Sequence, residues 1–365
     1  MSGVPILRPK LPVADRVVGY LRRIDEERFY TNFGPLVTVL EDRIAQHYGL
    51  DSGAVTTVAN ATLGLTLALM AEGAQRGTLC AMPAWTFVAS AHAAAGAGLV
   101  PYFIDVDPYT WALDPEAILS EITRAPGPVG AVMPVAPFGR PIDIARWDAF
   151  RAESKLAVVV DAAAGFDSLI PGNAPAVVSL HATKVLSSGE GGLVVSRDPS
   201  LIEEVRARSN FGFHGSRLAR FTSTNAKMSE YHAAVGLAAL DEWREARGEW
   251  MDLAAAYRRA FAGSNRIRLQ EGFGQSWVSG ICVLRATEPP TLRFEQTLAA
   301  AEVETRQWWG SGAHLHPATA DYPRAALPIT KGLAAATFGV PFYRDLAAPQ
   351  ITQIAETVLG CSEAA

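Results

Sequence analysis

The sequence contains little cysteine. Only three of its 365 residues are cysteines, Cys80, Cys282 and Cys361, and no C-x-x-C pair occurs. This odd and widely spaced set excludes a disulfide framework and a cysteine-bound zinc site. We therefore expect no structural metal, and a reducing compartment, the cytoplasm, as the location of the protein.

Clusters of basic residues are missing as well. The 32 Lys and Arg residues are outnumbered by 37 Asp and Glu residues, which gives a formal net charge of −5. Nucleic-acid grooves and polybasic membrane anchors depend on clustered Lys and Arg, so we expect neither nucleic acid nor membrane as a partner. Residues 1–10 lack the layout of a signal peptide, and export is not expected.

One long segment has no charged residue at all. Residues 78–104 contain no Asp, Glu, Lys or Arg and would be long enough to cross a bilayer. However, Pro83, Gly96, Gly98 and Pro101 divide the segment into a strand, a helix and a second strand. This pattern is typical of a buried α/β unit rather than of a membrane span.

Short apolar runs alternate with helix-period segments through the first two-thirds of the chain, which predicts an α/β fold with a seven-stranded, mostly parallel sheet flanked by helices. Helices are predicted at 36–48, after Asn60-Ala61-Thr62, and within the long periodic stretch 229–258. We predict a large domain at 1–245, with an N-terminal arm of about 1–20, and a smaller α+β domain at 246–365. The seven predicted strands are 54–58, 78–82, 100–104, 130–135, 157–160, 176–180 and 192–195.

Common catalytic and nucleotide-binding motifs are also lacking. The sequence has neither G-x-G-x-x-G nor G-x-x-x-x-G-K-[ST], so it does not indicate a dinucleotide-binding site or a P-loop. It has no G-x-S-x-G elbow and no H-E-x-x-H pair, which removes the usual support for a serine hydrolase or a zinc peptidase.

A lysine follows a buried strand at an unusual place. Lys184 ends the segment S-L-H-A-T-K, just beyond the predicted strand 176–180. A single loop lysine is most often a solvated surface charge. Lys184 would be functional only if desolvation lowered its pKa enough to supply a neutral amine for Schiff-base chemistry.

Three further segments place polar or aromatic residues after predicted strands, where α/β sheets bind ligands. Asp161 ends an apolar run, and it could hold a proton on a pyridine nitrogen or cap the following turn. Asn60-Ala61-Thr62 opens a helix, and it could bind phosphate or be a plain helix cap. The segment Trp85-Thr86-Phe87 could stack on a planar cofactor or pack in the core.

Taken in order along the chain, these segments resemble the fold-type-I pyridoxal-phosphate (PLP) sugar aminotransferases of the DegT/DnrJ/EryC1/StrS group. The resemblance covers nearly the whole sequence. The matching segments are N-F-G-P at 32–35, N-A-T at 60–62, P-A-W-T-F at 83–87, F-I-D-V-D at 103–107, D-A-A at 161–163, Lys184, E-G-G at 190–192, N-A-K-M-S-E at 225–230 and V-P-F-Y at 340–343.

The resemblance implies pyridoxal 5'-phosphate as the cofactor and a role for each matching residue. Lys184 would form the Schiff base with the cofactor and, once released, move protons between the substrate carbon and the cofactor. Asp161 would pair with the pyridine nitrogen, and Phe87 would stack on the ring.

The resemblance also implies a phosphate site that two subunits share. The amides of Ala61 and Thr62, the Thr62 hydroxyl and Ser179 would hold the phosphate, and Asn225 would reach it from the other subunit. A homodimer with composite active sites is the expected functional unit.

By the same resemblance, the reaction is transamination of a nucleotide-linked keto-deoxyhexose with L-glutamate as the expected donor, for lipopolysaccharide, other polysaccharide or antibiotic sugars. Several aromatic and histidine residues lie in segments that could border the sugar nucleotide, although such residues more often serve packing. They are Tyr30, His214, Trp308, Trp309, His314 and His316.

Three positions depart from the family pattern. Ala164 stands where Gln or His usually contacts the ring hydroxyl, Ala61 replaces a Gly, and Lys227 replaces an Arg. Ala164 keeps open a non-catalytic regulator or sugar-binding protein on the same scaffold. A PLP enzyme with another reaction, such as a sugar dehydratase or an epimerase, is the further alternative, although Lys184 favours amination.

Overall fold

The computed structural model describes residues 3–288 and 291–361, and it has an α/β architecture in which a mostly parallel sheet is surrounded by helices. None of the helices within these residues combines the length and the apolar character needed to cross a membrane. The helices are α1 (Ala14–Glu27), α2 (Pro35–His47), α3 (Ala61–Ala71), α4 (Val88–Gly96), α5 (Ala117–Thr123), α6 (Ile144–Ser154), α7 (Pro199–Arg208), α8 (Glu230–Asp241), α9 (Trp243–Ala260), α10 (Leu292–Ala300), α11 (Pro328–Ala336) and α12 (Ala348–Leu359).

The strands form two four-stranded ladders and one three-stranded ladder. Their bounds are β1 (Val55–Val58), β2 (Leu79–Pro83), β3 (Val100–Ile104), β4 (Val129–Val132), β5 (Ala157–Val158), β6 (Val160–Asp161), β7 (Ala176–Ser179), β8 (Gly192–Val195), β9 (Ile267–Leu269), β10 (Cys282–Ala286) and β11 (Thr337–Val340). The strand orders are β3-β2-β4-β5, β1-β8-β7-β6 and β11-β10-β9.

The first two ladders meet on one run of chain. The predicted strand 157–160 is divided into β5 and β6, because residues 157–158 pair with β4 whereas residues 160–161 pair with β7. At the division, the Val159 amide still donates to the Val132 carbonyl at 3.1 Å. Strand β8 runs antiparallel to both of its neighbours, and the other pairs of these two ladders are parallel.

The uncharged segment 78–104 folds as the sequence predicts, into β2, α4 and β3. All of β2 is buried between β3 and β4, and the inner face of α4 is alanine-rich and buried as well. The absence of charge therefore reflects burial inside the protein.

The periodic stretch 229–258 forms two helices rather than one. Helix α8 ends at Asp241 and α9 begins at Trp243, with Glu242 between them. Trp243 packs in the core beneath the parallel strands, whereas Trp250 and Tyr257, further along α9, pack in a second core around β9–β11. Helix α9 thus passes from one core to the other, and the domain boundary near Glu245 stays a prediction.

The first described residues pack on the C-terminal part of the chain. Val4 lies in the second core, and its carbonyl accepts a hydrogen bond from the Glu304 amide at 2.9 Å. The Ile6 amide donates to the Glu304 carboxylate at 2.9 Å. These contacts connect the start of the chain to the segment that follows α10.

Asp105, from the F-I-D-V-D motif, caps a distant helix. Its carboxylate accepts hydrogen bonds from the Ile329 amide at 2.7 Å, and from the Thr330 amide and hydroxyl at 2.8 and 2.7 Å. A carboxylate at a helix N-terminus satisfies unpaired amides and complements the helix dipole. This motif residue therefore connects β3 to α11.

We expect Asp105→Ala to lower the free energy of unfolding by about 3 kcal/mol, because three hydrogen bonds to a charged acceptor are lost. Urea denaturation of the purified protein measures this change. Asp321→Ala is the matched control, since Asp321 is exposed and accepts no hydrogen bond from the described residues. Equal stability of the two variants would contradict the capping role.

Candidate active site

Most of the predicted cofactor residues line a single cavity at the carboxyl ends of the strands. The cavity has a volume of about 400 Å³. It forms there because Asp161 ends β6, Ser179 ends β7, and Asn60 and Thr86 follow β1 and β2. The predicted cofactor and substrate residues that line it are Ala61, Thr62, Phe87, Asp161, Ser179, Lys184, Trp308 and Trp309.

Lys184 contributes an amine without a partner. Its backbone amide donates to the His181 carbonyl at 2.9 Å, which fixes the turn after β7, and Gly280 packs closely on that turn. Within residues 3–288 and 291–361, no carboxylate lies within ion-pair distance of its ammonium group. Burial lowers the pKa of Lys184, although the charge of Asp161 opposes the shift. The site therefore favours a neutral, nucleophilic amine.

Asp161 places a buried carboxylate in the same cavity. Its side chain is only 6% exposed, and it accepts hydrogen bonds from the Ser90 hydroxyl at 2.7 Å and from the Ala163 amide at 3.1 Å. Burial raises the pKa of Asp161, whereas these two hydrogen bonds and the charge of Lys184 oppose that rise. The carboxylate suits a cationic partner in the cavity.

The start of α3 offers unpaired amides. The Asn60 side chain caps the helix by accepting from the Leu63 amide at 2.9 Å. The amides of Ala61 and Thr62 have no acceptor among the described residues. Gly192 lets this turn approach β8, because a Cβ there would lie 2.8 Å from the Ala61 nitrogen. Helix capping and anion binding are thus compatible, because the Leu63 amide is used by the cap whereas the Ala61 and Thr62 amides are available to an anion.

The two aromatic residues of the 83–87 segment lie in different environments. Trp85 is buried, and its ring packs edge-on against Phe138 at 6.1 Å and Trp309 at 5.4 Å. Phe87 is 57% exposed and lines the cavity from the position before α4. The core-packing alternative therefore holds for Trp85 and not for Phe87, which is exposed at the cavity.

Residues 13–359 match the model of the DegT/DnrJ/EryC1/StrS aminotransferase family. The chain belongs to this family. It is 33% identical over 242 residues to the dTDP-4-amino-4,6-dideoxy-D-glucose transaminase of Shigella dysenteriae, which covers 65% of this chain and 64% of that enzyme. The expected family, the fold-type-I architecture and the enzyme class are confirmed: this is a PLP-dependent aminotransferase.

Two solved structures are similar to the aminotransferase over nearly its whole length. The crystal structure of DesI in the presence of its TDP-sugar product has 30% identity and a TM-score of 0.88, and covers 99% of this chain and 93% of that one. A Bacillus cereus protein assigned as a PLP-dependent aminotransferase has 27% identity and a TM-score of 0.89, with 98% and 99% covered.

Four of the predicted substrate residues of the aminotransferase lie outside the cavity lining of this chain. Tyr30 stacks on Tyr231 at 6.3 Å, and the His214 imidazole lies 3.3 Å from the Glu203 carboxylate. His316 is exposed, whereas His314 is buried beside Phe103. Trp308 and Trp309 do line the cavity, and Trp309 stacks on Phe138 at 3.8 Å.

Asn225 also lies away from the cavity of its own chain. Its side chain is exposed, and the amide oxygen accepts a hydrogen bond from the Lys227 ammonium group at 2.6 Å. A contact between Asn225 and the cofactor in the same chain therefore has no support in this arrangement. The expected contact with the site of a second subunit stays a prediction.

Sequence reasoning missed some residues of the aminotransferase site. His181 lines the cavity, where its Nδ1 lies 2.9 Å from the Thr183 hydroxyl and its Nε2 lies 3.7 Å from Glu190. Ser90 contacts Asp161 from behind the cavity. No helical periodicity signalled the pair of Thr86 and Ser90, because Thr86 lies before the extended Phe87 and α4 begins only at Val88.

Proposed function

We propose that this aminotransferase moves an amino group from L-glutamate to a keto-deoxyhexose carried on a nucleoside diphosphate. The observation that carries the proposal is a single cavity in which Lys184 supplies an unpaired amine and Asp161 a buried carboxylate. The names of the Shigella transaminase and of the DesI complex with a TDP-sugar support a sugar nucleotide as the acceptor.

The residues around the cavity suit PLP. An unpaired amine, a buried carboxylate and unpaired helix-start amides complement an aldehyde, a ring nitrogen and a phosphate, respectively. When bound, this cofactor supplies a ring that withdraws electrons from the bonds of an attached amine.

Lys184 has two tasks in this proposal. As a neutral amine it would bind the cofactor covalently, and its lowered pKa favours that neutral form. With its amine free, Lys184 would be positioned to take a proton from the substrate carbon and to deliver it to the cofactor carbon, as a general base and then a general acid. No other lysine side chain among the described residues lines the cavity.

Asp161 would hold a proton on the ring nitrogen of the bound cofactor. A buried carboxylate prefers a cationic partner, so contact with Asp161 stabilises the protonated ring over the neutral one. Phe87 would cover one face of the ring, which its exposed position at the cavity permits. Both groups would thereby fix the position of the cofactor ring in the cavity.

The start of α3 would hold the phosphate of the cofactor. The amides of Ala61 and Thr62 and the hydroxyls of Thr62 and Ser179 are the donors on this chain. The Ser179 oxygen accepts from the His181 amide at 3.3 Å, which leaves the Ser179 proton free to donate. We propose that Asn225 of a second copy completes the site in a homodimer.

Ala164 lines the cavity with a methyl group and cannot replace the usual Gln or His contact. The Lys184 amine nevertheless favours amination over a sugar dehydratase, and membership of an aminotransferase family argues against a non-catalytic regulator. We further propose a cytoplasmic enzyme that supplies amino sugars for lipopolysaccharide, another polysaccharide or an antibiotic.

The absorption spectrum of the purified holoenzyme tests this function. We expect a yellow protein that bleaches when L-glutamate is added, because the amino group then resides on the cofactor. Borohydride reduction before glutamate should attach the cofactor to the peptide that contains Lys184. A yellow protein that glutamate leaves unchanged would contradict the donor, and attachment to another lysine would contradict the site.

A further inference from the structure

Two buried hydroxyl groups lie behind the Asp161 carboxylate. The Ser90 hydroxyl lies 2.7 Å from Asp161 Oδ2, and the Thr86 hydroxyl lies 2.8 Å from the Ser90 hydroxyl. All three side chains are buried, and Ser90 is completely inaccessible to solvent. Thr86 also lines the cavity, so the chain of hydroxyls runs from the cavity wall to the carboxylate.

The direction of these hydrogen bonds follows from the charge of Asp161. An ionised carboxylate can only accept, so Ser90 must donate its single proton to Asp161 Oδ2. Ser90 then has no proton left for Thr86, and Thr86 must donate to Ser90. Successive hydrogen bonds in one direction polarise each other, which strengthens the bond to the carboxylate.

The two oxygens of Asp161 are held from different parts of the fold. Oδ2 accepts from Ser90 on α4, and Oδ1 accepts from the Ala163 amide in the turn after β6. Donors on both oxygens fix the rotation of the carboxylate plane. Because each oxygen can accept more than one hydrogen bond, the carboxylate can still bind a group in the cavity.

We propose that Ser90 and Thr86 are positioning residues that hold Asp161 ionised and correctly oriented toward the ring nitrogen. This inference rests on the proposed function of Asp161. Ser90 is one of only two hydrogen-bond donors to the carboxylate among the described residues, so its loss leaves a buried charge half satisfied. The protonated form of Asp161 would then be favoured.

The same short segment also positions Phe87. Thr86 and Ser90 flank Phe87 at the beginning of α4, and the bond between their hydroxyls closes this turn. One local structure thereby fixes both the aromatic ring that faces the cavity and the support of the carboxylate. The Thr86 hydroxyl has no proton left to donate into the cavity, because that proton is directed to Ser90.

The test measures the protonation of the ring nitrogen in the holoenzyme rather than turnover alone. PLP labelled with ¹⁵N in the ring is bound to the protein, and the ¹⁵N chemical shift is followed over pH. In Ser90→Ala we expect the midpoint for loss of the ring proton to fall by about one pH unit, a tenfold change in the equilibrium. Thr86→Val should produce a smaller fall, because Ser90 still donates.

Conservative and unrelated variants serve as controls. Ser90→Thr keeps the hydroxyl and should restore the midpoint. Ser209→Ala removes a fully buried hydroxyl that donates to the Arg206 carbonyl and does not line the cavity, and it should leave the midpoint unchanged. If Ser90→Ala fails to fold, Thr86→Val replaces it as the variant without the hydroxyl and Thr86→Ser serves as the variant that keeps it. Thr86→Val should then lower the midpoint, and Thr86→Ser should not.

Asp161→Asn separates the two levels of the proposal. If Asp161→Asn lowers the midpoint but neither Ser90→Ala nor Thr86→Val does, the positioning role is overturned while the role of Asp161 stands. If Asp161→Asn leaves the midpoint unchanged, the proposed function of Asp161 fails as well. A fall in Ser209→Ala equal to that in Ser90→Ala would also overturn the positioning role.

Discussion

Lys184→Ala should abolish transamination, since loss of the proton transfer alone lowers turnover by about 10²- to 10⁴-fold. Two functions disappear together, because the same amine binds the cofactor and moves the proton. Alanine can do neither, and within residues 3–288 and 291–361 the cavity wall has no second lysine. Steady-state assays with L-glutamate and a keto sugar nucleotide measure the loss.

The fold of this variant should survive. Burial lowers the pKa of Lys184 in the folded state relative to the unfolded state. The contribution of this side chain to stability is therefore fully present above the unfolded-state pKa. It is lost as the pH falls through the folded-state pKa. At neutral pH the buried amine therefore opposes folding, and its removal does not cost an ion pair. Thermal unfolding should show a well-folded Lys184→Ala protein.

Lys331→Ala is the matched control for charge, because Lys331 is exposed on α11 and does not line the cavity. It should retain normal turnover. Lys184→Arg keeps a positive charge but not a nucleophilic amine, and it should be as inactive as the alanine variant. Retained turnover in Lys184→Ala would contradict the proposed mechanism.

Mixing two inactive variants should restore activity if the site is shared between subunits. In a heterodimer of Lys184→Ala and Asn225→Ala chains, one site combines an intact Lys184 with the intact Asn225 of the other chain. The second site carries both substitutions. If the chains mix at random, half of the dimers are mixed and half of their sites are intact, so about one quarter of the wild-type activity should return.

The exposed position of Asn225 makes this experiment informative. Asn225 lies outside the cavity of its own chain, where its nearest polar partner is Lys227. The assay requires subsaturating cofactor, because loss of Asn225 should act through weaker phosphate binding. The Lys184→Ala protein alone, treated in the same way, provides the background activity. Activity no higher than the average of the separate variants would show that the chains do not share Asn225 in this way.

The sequence by itself determined the family, the approximate positions of the strands in the two four-stranded ladders, and most of the predicted cofactor residues that line the cavity. This was possible because Asp161, Ser179 and Asn60 each follow an apolar run, and the carboxyl ends of neighbouring strands meet at one edge of a sheet. Periodicity did not locate the division of 229–258 at Glu242, since both helices carry an apolar face. The substrate residues were the least predictable, because Tyr30, His214 and His316 lie in segments that the fold carries away from the cavity wall.

The remaining features depend on contacts between residues far apart in the sequence, and only the tertiary structure decided them. Trp85 and Phe87 differ by two positions, yet one packs in the core and the other faces the cavity, because helix α4 begins directly after Phe87. Ser90 reaches Asp161 across 71 positions, and Asp105 caps a helix more than 220 residues away. The local sequence pattern indicates which residues are apolar and where a helix begins. The hydrogen-bond partner of a buried polar group, in contrast, is decided by how the helices and strands pack together.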